Sequence, residues 1–321
     1  MPTSHGPQNI FKYQRKVSSG DSSRGAQYEE TEVKFNPPCE FVLPDDVTLE
    51  QLGQSKAFGE WLLRLQRNLK LQENEQHKFH AAPFKLKKVE VQTVDYWQGR
   101  IGFIKLTSEI ANDHGEFLPG AVFLRGGSVA MLMIIQGVDE EGNLTGRHAI
   151  VTVQPRIAAC SLAFSEIPAG MLDDGTITGK AVAEIKEETD LEVHKDELVN
   201  MTELAANDLA KSNWRISDSK DSTDDAFEDL SLAMYPSPGG CDEFMPLLLY
   251  QKRIPMKDFK AINGKLTGLK NEGEKITLKL VLLDDLWKEC ARDGKSLAAL
   301  FLYERLSREG KLPDIANGRG I

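Results

Sequence analysis

The feature that most constrains this chain is a change of hydrophobic period near residue 85. From there KLKKVEVQTVDYW and GRIGFIKLTSEI, parted by Gly99, are β-type runs, followed by AVFLRGGSVAMLMIIQGV, a turn at EEGNLTG, and HAIVTVQPRI. Short apolar runs punctuated by glycine predict a mixed or antiparallel sheet. SLAFSEIPAG then leads, as strand and loop, toward a helix over AVAEIKEETD, with Gly179 just before it and its end near Asp190 and Leu191. Later, EKITLKLVLLDDLWKEC reads as strand into helix and SLAALFLYERLSREG as a C-terminal helix. Strands, one helix, further strands and terminal helices predict a layered α/β/α domain.

Upstream of the sheet the period is helical. Phe58, Trp61, Leu62, Leu65 and Leu69 form a stripe in KAFGEWLLRLQRNL, in a helix opened by LPDDVTLEQLG. Residues 1–45 are polar, rich in Ser and Gly, and carry Pro37, Pro38 and Pro44, which predicts a disordered N-terminal extension. The expected organisation is therefore extension over 1–45, helix and linker over 46–84, and one domain over 85–315. Within that domain, 206–229 is an acidic insertion expected to be a mobile loop, with Trp214 its only aromatic residue before Phe227.

Charge and cysteine usage remove several classes of function. Across 321 residues, 49 acidic side chains outweigh 39 basic ones for a net charge of −10, which argues against nucleic acid as a partner. The four cysteines make no C-x-x-C pair and suit a reducing compartment. No apolar run reaches the length of a membrane span. The N-terminus lacks the apolar core of a secretory signal, so a cytoplasmic protein is expected. The alternative is an organellar presequence in residues 1–30, whose first 20 residues are basic and free of acids.

The acidic helix carries the chemistry. Glu184, Glu187 and Glu188 fall at i, i+3 and i+4, on one face of a helix, with Glu192 a turn further on. Like charges so placed repel, and either water or a cation must compensate them. A solvated acidic face is the ordinary reading for any one such helix. A hard cation such as Mg²⁺, bound by a few carboxylates together with phosphate oxygens, is the functional one.

With the residues before it, this helix resembles a known motif. EIPAGMLDDGTITGKAVAEIKEETDL is similar to the box of the Nudix hydrolase family, G-x5-E-x7-R-E-U-x-E-E-x-G-U with U a bulky aliphatic. Gly170 matches the opening glycine, and Glu184, Ile185, Glu187, Glu188 and Leu191 match its core. The Gly170–Glu187 separation is one residue short, the first glutamate has no clear counterpart, Ala183 stands for the usual Arg, and Asp190 for the usual Gly. PSPGGCDE, residues 236–243, resembles the S-P-G-x-x-x-E turn of the nucleoside-diphosphate-sugar branches. The stretch from about residue 56 to 311 resembles plant and fungal ADP-sugar diphosphatases.

The resemblance implies a Nudix-type α/β/α sandwich with a mixed sheet, preceded by an N-terminal helix and a short N-terminal β segment. It implies a homodimer that hydrolyses a nucleoside diphosphate sugar, ADP-ribose or ADP-glucose, to AMP and a sugar phosphate. Glu184, Glu188 and the Ala169 carbonyl would hold Mg²⁺, with Mn²⁺ the alternative, and Glu187 and Glu243 would be catalytic. Arg156, Gly170, Ser237 and Gly239 would bind substrate; a guanidinium suits a phosphate, although a surface ion pair explains Arg156 equally well. Glu243 would orient or deprotonate the attacking water, a task Asp242 could share. Because the Arg and one Gly of the box are missing, a catalytically weak scaffold that binds a nucleotide or a partner is the alternative. UDP-sugars or oxidised nucleotides are a third option. H-x-x-H at His77 and His80 lacks further ligands for zinc, and Ser237 lacks a His/Asp partnership.

Overall fold

The computed structural model describes residues 3–17, 27–97, 99–172, 177–189, 191–211, 228–268 and 275–317. The chain forms two compact units. One comprises Met1–Gly127 with Asn213–Ser231 and Ser237–Glu243, the other Ser128–Ser212 with Leu232–Pro236 and Phe244–Ile321. The boundary between Gly127 and Ser128 differs from the single domain expected over 85–315, because the strands after residue 85 pair with N-terminal strands.

In the first unit, β1 (Thr3–Val17) and β2 (Gln27–Leu43) run antiparallel where a disordered extension was expected. The polar composition concealed a two-residue alternation that buries Phe11 and Tyr13 on β1 and Val33, Phe35, Phe41 and Leu43 on β2. Pro37 and Pro38 sit where the register slips, between Gln8↔Cys39 and Ile10↔Lys34, a bulge that tolerates residues without an N–H.

β3 (Lys85–Trp97) joins β2 in parallel and β4 (Arg100–Ala111) in antiparallel fashion, and the short strands β5 (Phe117–Leu118) and β6 (Ala121–Leu124) both pair with β4. The one helix expected before them is two. Thr48 caps α1 (Leu49–Gln54) in a capping box with Gln51, and Ser55 accepts from the Phe58 N–H to start α2 (Lys56–Lys70) afresh. Gly59 lets α2 close on β1, for a Cβ there would stand 2.0 Å from the Tyr13 ring.

The second unit is built on a mixed sheet whose central path is β11 (Val199–Asn200), β12 (Leu247–Pro255), β7 (Ser128–Val138), β8 (His148–Arg156), β14 (Ile276–Leu282) and β13 (Leu266–Thr267). β9 (Ser161–Glu166) adds to β8, β10 (Ala169–Met171) to β7, and β15 (Ala316–Asn317) to β12. β7 lies parallel to β12 and is buried almost throughout. Its alternating side chains enter two cores. Val129, Met131, Met133 and Ile135 pack with α3 (Ile177–Thr189) and α5 (Met256–Ile262). Ala130, Leu132 and Ile134 pack with α4 (Met201–Lys211), α6 (Leu286–Glu289) and α7 (Gly294–Arg308).

Two local expectations need correction. Gly179 lies within α3, which is already helical at Ile177. The start of the acidic insertion, 206–211, is helical as part of α4, where a loop was expected. The rest of that insertion to residue 227, with Trp214 and Phe227, and also Asp190, lie outside the described residues. Among the described residues no helix is long and apolar enough to cross a membrane.

Candidate active site

The acidic helix is placed by its apolar face. Ala181 and Ile185 are fully buried against the sheet, and Glu188 is carried to the same face one turn on. The end of α3 is tied to β13 and the residue after it: the Gly268 N–H donates to the Glu187 carbonyl at 3.3 Å, and the Thr267 hydroxyl donates to the Glu188 carbonyl. Two helix-end carbonyls are thereby satisfied from β13 and the residue after it.

The three glutamates have different surroundings. Glu188 is 5% exposed; its Oε2 accepts from the Ala169 N–H at 3.0 Å and its Oε1 from Gln154 Nε2 at 3.4 Å. Burial, and then the neighbouring Glu184 charge, push its carboxyl up to about 8. Glu184 meets the Lys180 ammonium at 3.0 Å, one turn earlier on α3. Glu187 is half-buried, and the exposed Glu192 pairs with Lys186 at 3.0 Å on the surface.

Gly170 explains its own identity. A Cβ there would stand 1.8 Å from Glu184 Cδ, so only glycine lets that carboxylate fold over β10. Pairing with β7, Ala169 opposite Ala130 and Gly170 opposite Val129, fixes β10 under the helix. Ala169, Gly170, Glu184 and Glu188 therefore form one cluster.

Beside it lies an ion network that sequence reasoning missed. Arg156, half-buried at the end of β8, donates from Nε to Glu166 Oε1 at 2.6 Å. Lys295, at the start of α7, takes Glu166 Oε2 and also meets Asp293 Oδ1 at 3.0 Å. Glu166 is 2% exposed, and its charge adds to those that raise the Glu188 pKa. Sequence showed Glu166 only in the strand and loop before the acidic helix and Lys295 only as the residue before the C-terminal helix; 129 positions separate them, and no local pattern links them.

Ser237, Gly239 and Glu243 belong to the first unit, where the Pro/Gly turn is pinned to β6 and the loop after it. The Ser237 carbonyl accepts from the Gly240 and Cys241 N–H groups at 3.2 and 3.0 Å, and the Gly240 carbonyl accepts from the Phe123 N–H at 2.8 Å. Nothing lies within 4 Å of a Cβ built at Gly239. Asp242 accepts from the backbone N–H groups of Arg125 and Gly126 at 2.7 and 3.1 Å, and burial raises its pKa. Those bonds occupy Asp242 structurally. Glu243 pairs with the Arg125 guanidinium at 3.0 Å.

The chemistry of the donor set in the second unit suits a hard divalent cation. Two carboxylates share one face, one of them buried and met by no cationic side chain among the described residues. Among the described residues no three acidic, His or Cys side chains converge in a metal-holding group. Such a pair fits a cation that keeps water and substrate oxygens in its shell.

A face of this kind, on a helix after a glycine-bearing strand, is compatible with metal-dependent chemistry on phosphate esters or anhydrides. The comparisons identify the family. Nudix hydrolase 14, chloroplastic, from Arabidopsis thaliana is 34% identical over 261 residues, covering 80% of this chain and 72% of that protein. This chain belongs to the Nudix hydrolase family, whose members act on phosphoric anhydride bonds with a divalent metal. No family model matches the chain. A solved structure described as the crystal structure of ADP compounds hydrolase aligns over 71% of this chain and 99% of its own, at 15% identity and a TM-score of 0.40.

Proposed function

We propose that this chain hydrolyses the diphosphate of a nucleoside diphosphate sugar, ADP-ribose or ADP-glucose, to AMP and a sugar phosphate, with Mg²⁺ as the metal and Mn²⁺ as the alternative. The observation that carries this reading is the cluster in which Gly170 makes room for Glu184 while the Ala169 N–H holds Glu188. A divalent cation there would polarise a phosphoryl oxygen and favour ionisation of the attacking water. Glu184 and Glu188 would hold it, with the Ala169 carbonyl a further donor and Glu187 an accessory catalytic carboxylate. Arg156 clamps substrate phosphate, and Gly170, Ser237 and Gly239 bind through their backbone or hydroxyl. Glu243 takes a proton from water, a contribution of about 10²–10⁴-fold.

The second unit is read as the Nudix-type α/β/α sandwich, and the assembly as a homodimer. The relative's description as chloroplastic supports an organellar location over a cytoplasmic one, whereas β1 at Thr3–Val17, with Phe11 and Tyr13 in the core, argues against residues 1–30 as a removable presequence.

The test is product identification with ADP-ribose, ADP-glucose, UDP-glucose and GDP-mannose in Mg²⁺. Metal-dependent release of AMP, lost in Glu184→Gln plus Glu188→Gln, is the expected result; no turnover of any nucleotide sugar would sink the reading. A second reading, a scaffold that binds without hydrolysis, is favoured by the pairing of Lys180 with Glu184 and of Arg125 with Glu243. It expects nucleotide-dependent thermal stabilisation without product.

A further inference from the structure

We propose that Lys295, at the first turn of α7, is a positioning residue that keeps the Arg156 guanidinium available to substrate phosphate by holding the far oxygen of Glu166. The inference rests on the diphosphatase reading of Arg156 and extends it to a residue on the C-terminal helix.

The argument is one of geometry at a single carboxylate. Arg156 is engaged only through Nε, at 2.6 Å from Glu166 Oε1, and its side chain is 42% exposed. Its two terminal nitrogens have no protein partner among the described residues, so the fork remains free for bidentate contact with a phosphate. A carboxylate with two open oxygens would instead take Arg156 fork to fork. Lys295 competes for Oε2, the oxygen that a second Arg156 N–H would need.

The lysine is itself fixed. Asp293 caps α7 by accepting from the Ser296 N–H at 3.2 Å, and its other oxygen meets Lys295 at 3.0 Å. Ser296 Oγ accepts from the Ile167 N–H at 3.0 Å, which ties the helix start to the residue after Glu166. Lys295 is 11% exposed in its side chain, which suits a fixed partner more than a solvated surface lysine.

The experiment uses the full chain and reads KM, kcat, ADP binding by calorimetry with Mg²⁺, and melting temperature. The set is wild type, Arg156→Gln, Lys295→Met, Lys295→Arg, Glu166→Gln and the double variant Lys295→Met plus Glu166→Gln. Lys295→Met is expected to raise KM and the ADP Kd about 10-fold or more, as for loss of one charged hydrogen bond, with kcat little changed. Lys295→Arg restores both. The double variant binds no worse than Glu166→Gln alone, because the lysine acts through that carboxylate.

A lowered melting temperature with KM and Kd unchanged in Lys295→Met would leave the lysine a purely structural part and overturn the inference. A double variant weaker than Glu166→Gln would do the same. If Lys295→Met does not fold, the milder Lys295→Gln carries the test: raised KM with kcat kept sustains the inference, unchanged KM overturns it. Should Arg156→Gln leave KM and Kd unchanged, the phosphate role itself fails and this inference falls with it. If Arg156→Gln weakens binding and Lys295→Met does not, only the positioning role fails.

Discussion

Glu166 and Glu188 are both buried glutamates of the second unit, 2% and 5% exposed, yet the fold treats them oppositely. Glu166 is met by a guanidinium and an ammonium, so its charge is matched inside the protein. Glu188 is met by a backbone N–H and a neutral amide, with a second carboxylate next to it. A paired buried charge is a structural fixture, whereas an unmatched carboxyl takes up a proton or a cation from outside. The contrast separates scaffold from site more clearly than burial or residue type could.

The largest way to break the comparison is to neutralise each glutamate in turn. Glu188→Gln is expected to abolish Mg²⁺-dependent turnover, a loss beyond the roughly 10–100-fold that follows removal of a second-shell partner. Its metal-free thermal stability should hold or rise. Glu166→Gln should do the reverse to stability, lowering it by about 1–3 kcal/mol because Lys295 keeps only Asp293 as its carboxylate partner. Chemical denaturation of the two metal-free variants reads the opposite signs; the same sign in both would undo the distinction.

Gly170→Ala sharpens the contrast without touching charge. The new Cβ would meet the movable end of Glu184, so melting temperature should change little while metal affinity, read by Mn²⁺ titration, falls several-fold. A large loss of stability with affinity intact would show that the glycine serves packing alone.

The pH dependence is a smaller effect of the same kind. The Glu188 carboxyl is raised from 4.5 to about 8, so the metal-free folded state binds its proton more tightly than the unfolded chain does. Its contribution to stability is therefore present below about pH 4.5 and is lost as pH rises through about 8. Glu188→Gln should remove that slope from metal-free melting curves. Mn²⁺ affinity of the wild type should climb over the same range as the proton leaves. The smallest effect is expected at Glu192, whose exposed pair with Lys186 is worth about 0–1 kcal/mol, so that Glu192→Gln should leave stability and turnover nearly unchanged.

Much of this was legible in the sequence where the signal is local. The glutamates at i, i+3 and i+4, the strands after residue 85 and the C-terminal helix all follow from periodicity, which a few neighbouring residues are enough to express. The N-terminal strands were missed because Pro37, Pro38 and the polar residues between Phe11 and Tyr13 and between Val33 and Phe35 diluted an alternation that pairing across the sheet makes plain. The unit boundary at Gly127 was missed for the same reason, since strand partners far apart in sequence leave no mark at either end.

What the sequence by itself determined is an acidic helix after a glycine, with residue types suited to a hard cation. Only tertiary structure decided which glutamate is buried beside an N–H, which faces a lysine, and why position 170 is glycine. It alone brought Lys295 to Glu166 and closed Asp242 onto two backbone N–H groups. The physical reason is that burial and pairing set the character of a carboxylate, and both depend on residues that the chain brings near only by folding.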